Sequence, residues 1–257
     1  MRPAHASLLA ALLAAACAAV PPPDPVPATG AAPSPASHAR DPAPFSTAAA
    51  LDVLPLGWQP YRLARFKKNT EYRLVPIEGT VALRAVAESS ASALRYETTV
   101  DVHEYPWLTW RWMVTDVIAE ANNSHAHVED SPARVVVTFE GGRDQLPDAE
   151  QINYDLAKAM FGRDMPYATL MYIWENHLPE GEIITHHRTT RIKMVVAGSG
   201  QKDLRRWHEK RMNLLEDYRR AFGEEPPRVN SVGVMTDSDN TGTRAEAYYG
   251  DIRFQRR

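Results

Sequence analysis

Trp107-Leu108-Thr109-Trp110-Arg111-Trp112-Met113-Val114 is the stretch on which the fold turns. In an extended chain Trp110 and Trp112 point one way and Arg111 the other. A period of two that separates large apolar from charged residues describes a strand with one face in a core. Ile192, Met194 and Val196 alternate with Arg191 and Lys193 in the same way. Around these, short runs rich in β-branched and aromatic residues predict strands at Glu71–Ile77, Thr80–Ala87, Ala93–Val102, Arg134–Phe139, Ala168–Trp174, Thr189–Val196, Val229–Thr236 and Arg244–Phe254. Turn signals such as Glu78-Gly79 join them. About nine strands with long connections predict a mainly β fold: an antiparallel two-sheet sandwich or jelly roll.

One or two surface helices interrupt the strands. Asp148–Phe161 is the weaker prediction and Asp203–Phe222 the stronger, stopped by Gly223 with Pro226 beyond it. At about 100° per residue, Leu204, Trp207, Leu214, Leu215, Tyr218 and Phe222 share one face of that second helix. Arg211 falls in the middle of the face. A buried guanidinium must be paired. Two readings stay open: an ion pair with Asp130, Asp217 or Asp237 that pins the helix to a sheet, or a clamp for an anionic ligand.

The N-terminal segment has another character. Arg2 is followed by an apolar run from Leu8 to Ala16 and then by Cys17, the one cysteine of the chain. A single positive charge, a short Leu/Ala run and small residues make a secretory signal over residues 1–16. The run is too short to cross a bilayer of about 30 Å. Leu13-Ala14-Ala15-Ala16-Cys17 resembles the lipobox of bacterial lipoproteins, with Ala14 where Leu is usual. That resemblance implies lipidation of Cys17 and attachment to the membrane through acyl chains; the other reading of the same residues is an ordinary Ala-x-Ala cleavage beside an incidental cysteine. Ala18, in place of a retention Asp, points to an outer-membrane lipoprotein facing the periplasm. From Pro21 to Pro44, nine of 24 residues are proline, so residues 17–44 read as an extended tether. One domain is expected over residues 45–257.

With Cys17 used for the anchor, disulfides, cysteine nucleophiles and thiolate metal sites are excluded from that domain. The net charge of −3 leaves no basic excess, which argues against nucleic-acid binding.

Six further segments recur together in a known pattern. They are Pro106–Trp112, Glu129–Arg134 with Phe139, Leu170–Asn176, the Trp207–Gly223 stretch, Met235–Gly242 and Ala247–Ile252. In this order they resemble the bacterial family called domain of unknown function 3047, from about Gly57 to Phe254. The resemblance implies an exported protein with a jelly-roll sandwich like those of carbohydrate-binding modules. It implies no activity.

The candidate ligand-binding residues are Trp110, Arg111, Trp112, Asp130, Arg134, Trp174, Glu175, Arg211 and Asp217. Indoles make sugar platforms, although on alternating strand positions they more often fill a core. Asp237-Ser238-Asp239-Asn240-Thr241-Gly242 has the oxygen spacing of the first half of a calcium loop. The second half fails, because Tyr248 stands where an EF-hand needs Glu. A structural calcium on Asp237, Asp239 and Asn240, assisted by Asp251, is weighed against a turn held by its own side chains. His125-Ala126-His127-Val128-Glu129-Asp130 and His186-His187 carry metal-ligand chemistry, but each reads better as a solvated loop. No nucleophile elbow or phosphate loop is present. These features favour a non-catalytic envelope module that binds a glycan or another small polar ligand. The alternatives are a polysaccharide hydrolase using Glu175 and Asp237, and a purely structural domain.

Overall fold

A computed structural model describes residues 40–256. The signal, Cys17 and most of the tether lie outside the described residues. The first described residues already contact the sandwich. The Thr98 hydroxyl donates to the Arg40 carbonyl at 2.8 Å, the Phe254 amide to Asp41 at 2.8 Å, and the Trp58 indole to the Ala43 carbonyl at 2.8 Å.

The described residues form two packed sheets. The first holds β1 (Trp58–Arg62), β4 (Ala91–Val100), β11 (Val229–Asp237), β6 (Arg134–Phe139), β7 (Ala168–Glu175), β9 (Ile192–Ser199) and β8 (Ile183–Thr185), in that spatial order. The second holds β10 (His208–Asn213), β5 (Trp107–Val114), β12 (Arg244–Tyr249), β3 (Thr80–Glu88) and β2 (Glu71–Ile77), with β13 (Arg253–Gln255) also on β5. The chain crosses repeatedly between sheets, so neither forms without the other. All pairs are antiparallel except β7 with β9, so the first sheet is mixed where a fully antiparallel one is expected. The four outer strands are β1, which carries Pro60, the short β8, β2 with Pro76, and β10 with its run Glu209-Lys210-Arg211.

The core follows from the alternation on β5. Leu108, Trp110, Trp112 and Val114 point between the sheets and are buried. Trp110 lies 5.3 Å from Trp112 and 5.1 Å from Tyr172, and Trp112 lies 6.2 Å from Trp174, centroid to centroid. The tilted and edge-on geometries suit the ring quadrupoles. Gly198 on β9 leaves room for Trp174, since a Cβ there would meet the indole six-membered ring.

Helix α1 (Asp148–Phe161) has the expected bounds and lies on the surface, with Ile152, Leu156 and Met160 exposed. The second helix departs from expectation. It runs only over Leu214–Phe222 (α2), capped by the Asn213 side chain, which accepts from the Glu216 amide at 3.2 Å, and ended by Gly223 at φ 71°. Residues 208–213 are strand β10 instead, paired in register with β5. Asp203 and Arg205 adopt positive φ, which no helix tolerates. Pairing with the free edge of β5 overrides the helical propensity of this segment. Leu214, Leu215 and Tyr218 keep their predicted inward face. Arg244–Phe254 is likewise divided into β12 and β13. Between them Asp251 accepts from the Ser46 amide at 3.0 Å and the Ser46 hydroxyl at 2.6 Å.

Among the described residues no helix is long and apolar enough to cross a membrane.

Candidate functional site

The residues of β5 that do not enter the core line an open depression on the outside of the second sheet. Thr109 and Arg111 line it, joined by Glu209, Lys210 and Arg211 from β10 and Arg253 and Gln255 from β13. The depression has a volume of about 680 Å³, with Asp251 and Ser46 closing one side.

Two guanidinium groups dominate it. Arg211 lies 3.6 Å over the Trp107 ring and Arg111 lies 4.5 Å over the Trp207 ring. Each is drawn to an indole by the ring quadrupole, an attraction of about 0.5–2 kcal/mol. Neither makes an ion pair or a side-chain hydrogen bond among the described residues. Their neighbours differ: Arg253 lies 3.5 Å from Asp251 and Lys210 lies 3.1 Å from Glu180. Arg211 is therefore an exposed strand residue and not the paired centre of a helix face. Its contacts with Asp130, Asp217 and Asp237 are absent. Arg111 is positioned from below by Gly250, where any side chain would collide with its stem. The groove thus presents two donors that no side-chain acceptor of the described residues engages, beside the Thr109 hydroxyl, the Gln255 amide and the carboxylates of Glu209 and Asp251.

Most other candidates meet elsewhere, at the end of the first sheet, and are buried. Arg134 is paired with both oxygens of Asp237, at 2.7 and 2.9 Å. Burial opposes the charged guanidinium, but Asp237, then Glu129 and Asp130, outweigh it and raise Arg134. Burial pushes the Asp237 carboxyl up to about 6 against the pull of Arg134, and Asp130 and Asp239 add to the rise. Asp130 accepts from the Thr241 amide and hydroxyl at 2.7 Å each and from the Asn240 amide at 3.3 Å. Lys67 reaches Asp239 at 2.6 Å.

Asp130, Asp237 and Asp239 have ligand-capable oxygens within 4.8 Å of one another. They do not fit a calcium as arranged. Arg134 and Lys67 already occupy oxygens of Asp237 and Asp239, and the loop amides fill Asp130. Asn240 turns its side-chain amide to the Glu129 carbonyl at 3.1 Å, and Asp251 is spent on Ser46. The turn reading accounts for the engaged oxygens of Asp130 and Asp237 and for the Asp239 oxygen held by Lys67.

Glu175 is 1% exposed. It accepts from the amides of His177 and Leu178, the latter at 2.8 Å, and from the Asn123 amide at 3.4 Å. Asp217 accepts from the Tyr172 hydroxyl at 3.0 Å and from Arg220 at 3.1 Å, and burial raises its carboxyl despite both. Trp110, Trp112 and Trp174 are core residues. Of the nine ligand-binding candidates, the structure therefore brings Arg111 and Arg211 together on an open surface, with Trp110 beneath them. Thr109 lines the groove, and Trp107 and Gly250 support its guanidiniums; sequence reasoning passed over these three. Trp107 was legible, since it shares its parity with Arg111.

Fold and site together define the class: a mainly β, two-sheet sandwich with two helices and a cationic, aromatic groove on one outer face. The chain belongs to the family described as Protein of unknown function (DUF3047), which it matches over residues 56–253. No curated protein matches it. Among solved structures it is similar to the glycoside hydrolase domain of Endo-D from Streptococcus pneumoniae R6, at 9% identity and a TM-score of 0.34. That likeness covers 76% of this chain and 20% of the other, and the score is too low to equate the folds.

Proposed function

We propose that this protein is an extracytoplasmic binding module, lipid-anchored at Cys17 to the outer membrane, whose groove takes a negatively charged polar ligand of the envelope, foremost an acidic glycan. The observation that carries this reading is the pair Arg111 and Arg211. Both guanidiniums lie over indoles and line the open groove, and neither is ion-paired with the nearby Glu209 or Asp251. A carboxylate or phosphate accepts two parallel hydrogen bonds from such a fork. Thr109, Gln255 and Ser46 can serve neutral hydroxyls beside it. Ordering a guanidinium beforehand reduces the entropy lost on binding.

The hydrolase alternative finds no support at its two residues. Glu175 and Asp237 are both buried, and their oxygens are engaged by amides and by Arg134.

The test is a glycan array with acidic and neutral members, followed by calorimetry on any hit. Binding confined to acidic members, weakened by salt and reduced about tenfold or more in Arg111→Ala or Arg211→Ala, is the expected result. A silent array, or hits indifferent to both substitutions, would remove the groove from consideration. For the anchor, palmitate labelling should be lost in Cys17→Ser.

A further inference from the structure

Two loops that are uninformative in sequence meet in space. Glu129 lies in the connection from β5 to β6, and His186 and His187 lie between β8 and β9. The fold places one Glu129 oxygen, Oε2, 3.0 Å from His187 Nδ1 and 3.6 Å from His186 Nε2. The imidazoles stack at 4.3 Å, and the three ligand atoms all fall within 4.8 Å of one another. Four-coordinate zinc holds nitrogen and oxygen ligands at about 2.0–2.2 Å, which sets them about 3.3 Å apart. We propose that Glu129, His186 and His187 form a transition-metal site of the zinc type, with a fourth position open to water or to an anion.

The surroundings support it. Arg134 donates to the Glu129 main-chain carbonyl at 3.3 Å and stands 3.9 Å from its second carboxylate oxygen. Arg134 is itself fixed by Asp237. Glu129 is thus oriented from behind, as outer partners orient a ligating carboxylate. Four carboxylates gather here, on Glu129, Asp130, Asp237 and Asp239, against the two cations Arg134 and Lys67. A divalent ion offsets that excess. Two imidazoles and one carboxylate favour zinc, copper, nickel or cobalt over calcium or magnesium.

Loading has one structural consequence. The Arg188 amide now donates to His186 Nδ1 at 3.2 Å, which leaves the ring proton on Nε2. Metal on Nε2 needs the proton on Nδ1 instead. The Arg188 amide must turn away, and the turn that Thr189 closes on the His186 carbonyl must relax.

The experiment uses the purified, untagged full chain, stripped with a chelator and titrated with Zn²⁺ in a calorimeter and with Co²⁺ in a spectrophotometer. One equivalent of Zn²⁺ should bind. Co²⁺ should give the intense visible absorption of a four-coordinate site, and chelator should reverse both. Removing a ligand should weaken binding by at least the roughly 10–100-fold seen for outer partners, in Glu129→Gln, His186→Ala and His187→Ala. Asp239→Asn, in the neighbouring acidic turn, should leave it unchanged, as should the double replacement of His125 and His127 by Ala. Circular dichroism confirms that each variant is folded. A folded wild-type chain with no saturable Zn²⁺ binding overturns the proposal. So does affinity that survives loss of Glu129 and His187, or that disappears with His125 and His127.

Discussion

The side chain of Arg111 runs directly over Gly250, its Nε 2.6 Å from where a Cβ on that glycine would sit. Gly250 has no positive φ, so its role is space and not backbone freedom. Gly250→Ala should therefore leave the strand intact and push Arg111 off Trp207. The expected result is a loss of affinity for an acidic ligand close to that of Arg111→Ala, about tenfold, with a stability change within about 1 kcal/mol. Calorimetry and urea unfolding on the same samples check both halves.

The buried pair Arg134–Asp237 predicts a pH-dependent penalty. Asp237 titrates near 6 in the folded chain and near 4 when unfolded. As pH rises through that window the unfolded chain releases its proton first, so ionising Asp237 costs stability, fully so above the window. Arg134→Met removes the cation that limits this cost. Its destabilisation should reach about 3–5 kcal/mol near pH 8 and be smaller near pH 5. Urea unfolding at the two values measures it, and a pH-independent loss would contradict the account.

Glu246 works in the opposite sense. Burial disfavours its charge, but hydrogen bonds from Arg84, Arg244 and Tyr248 prevail and hold its carboxyl at about 2. A depressed carboxyl stabilises the fold above its unfolded value, and the gain is lost as pH falls from about 4.5 towards 2. Glu246→Gln should cost up to about 3 kcal/mol at neutral pH and almost nothing at about pH 2. Thermal unfolding of both proteins across that range tests it.

Glu175→Gln should act on stability. An amide in place of one carboxylate oxygen turns a donor towards an N–H that needs an acceptor, at a cost of about 1–3 kcal/mol. Groove affinity should not change, because the residue lies in the other sheet. A lowered unfolding midpoint with unaltered ligand binding is the expected pattern.

Much of the fold was legible in the sequence. The bounds of β2, β5, β6 and α1 coincide with those read from alternation and turn residues, because each buries one face locally. What sequence could not show was tertiary choice. His208–Asn213 has helical propensity but serves as an edge partner for β5, a decision made by a strand about 100 residues earlier. β1, with two polar residues and a proline, carries too little apolar pattern to declare itself. For the candidate site, the motifs flagged segments that the fold sends to two places, the groove and the buried acidic cluster. They could not tell Arg134, which turns inward to Asp237, from Arg111, which turns outward to Trp207. Nor could they join Glu129 to His186 and His187 across more than 50 intervening residues.

The outer strands of the sandwich bear on how the molecule behaves in a crowd. At the high local concentration that the proposed surface anchor would create, open sheet edges invite strand-by-strand fibril growth. Pro60 and Pro76 each remove a donor from their edge, β8 is too brief to template a partner, and β10 meets any newcomer with Glu209, Lys210 and Arg211. Each border of both sheets therefore carries its own deterrent, and dense packing of neighbours need not lead to amyloid-like assembly.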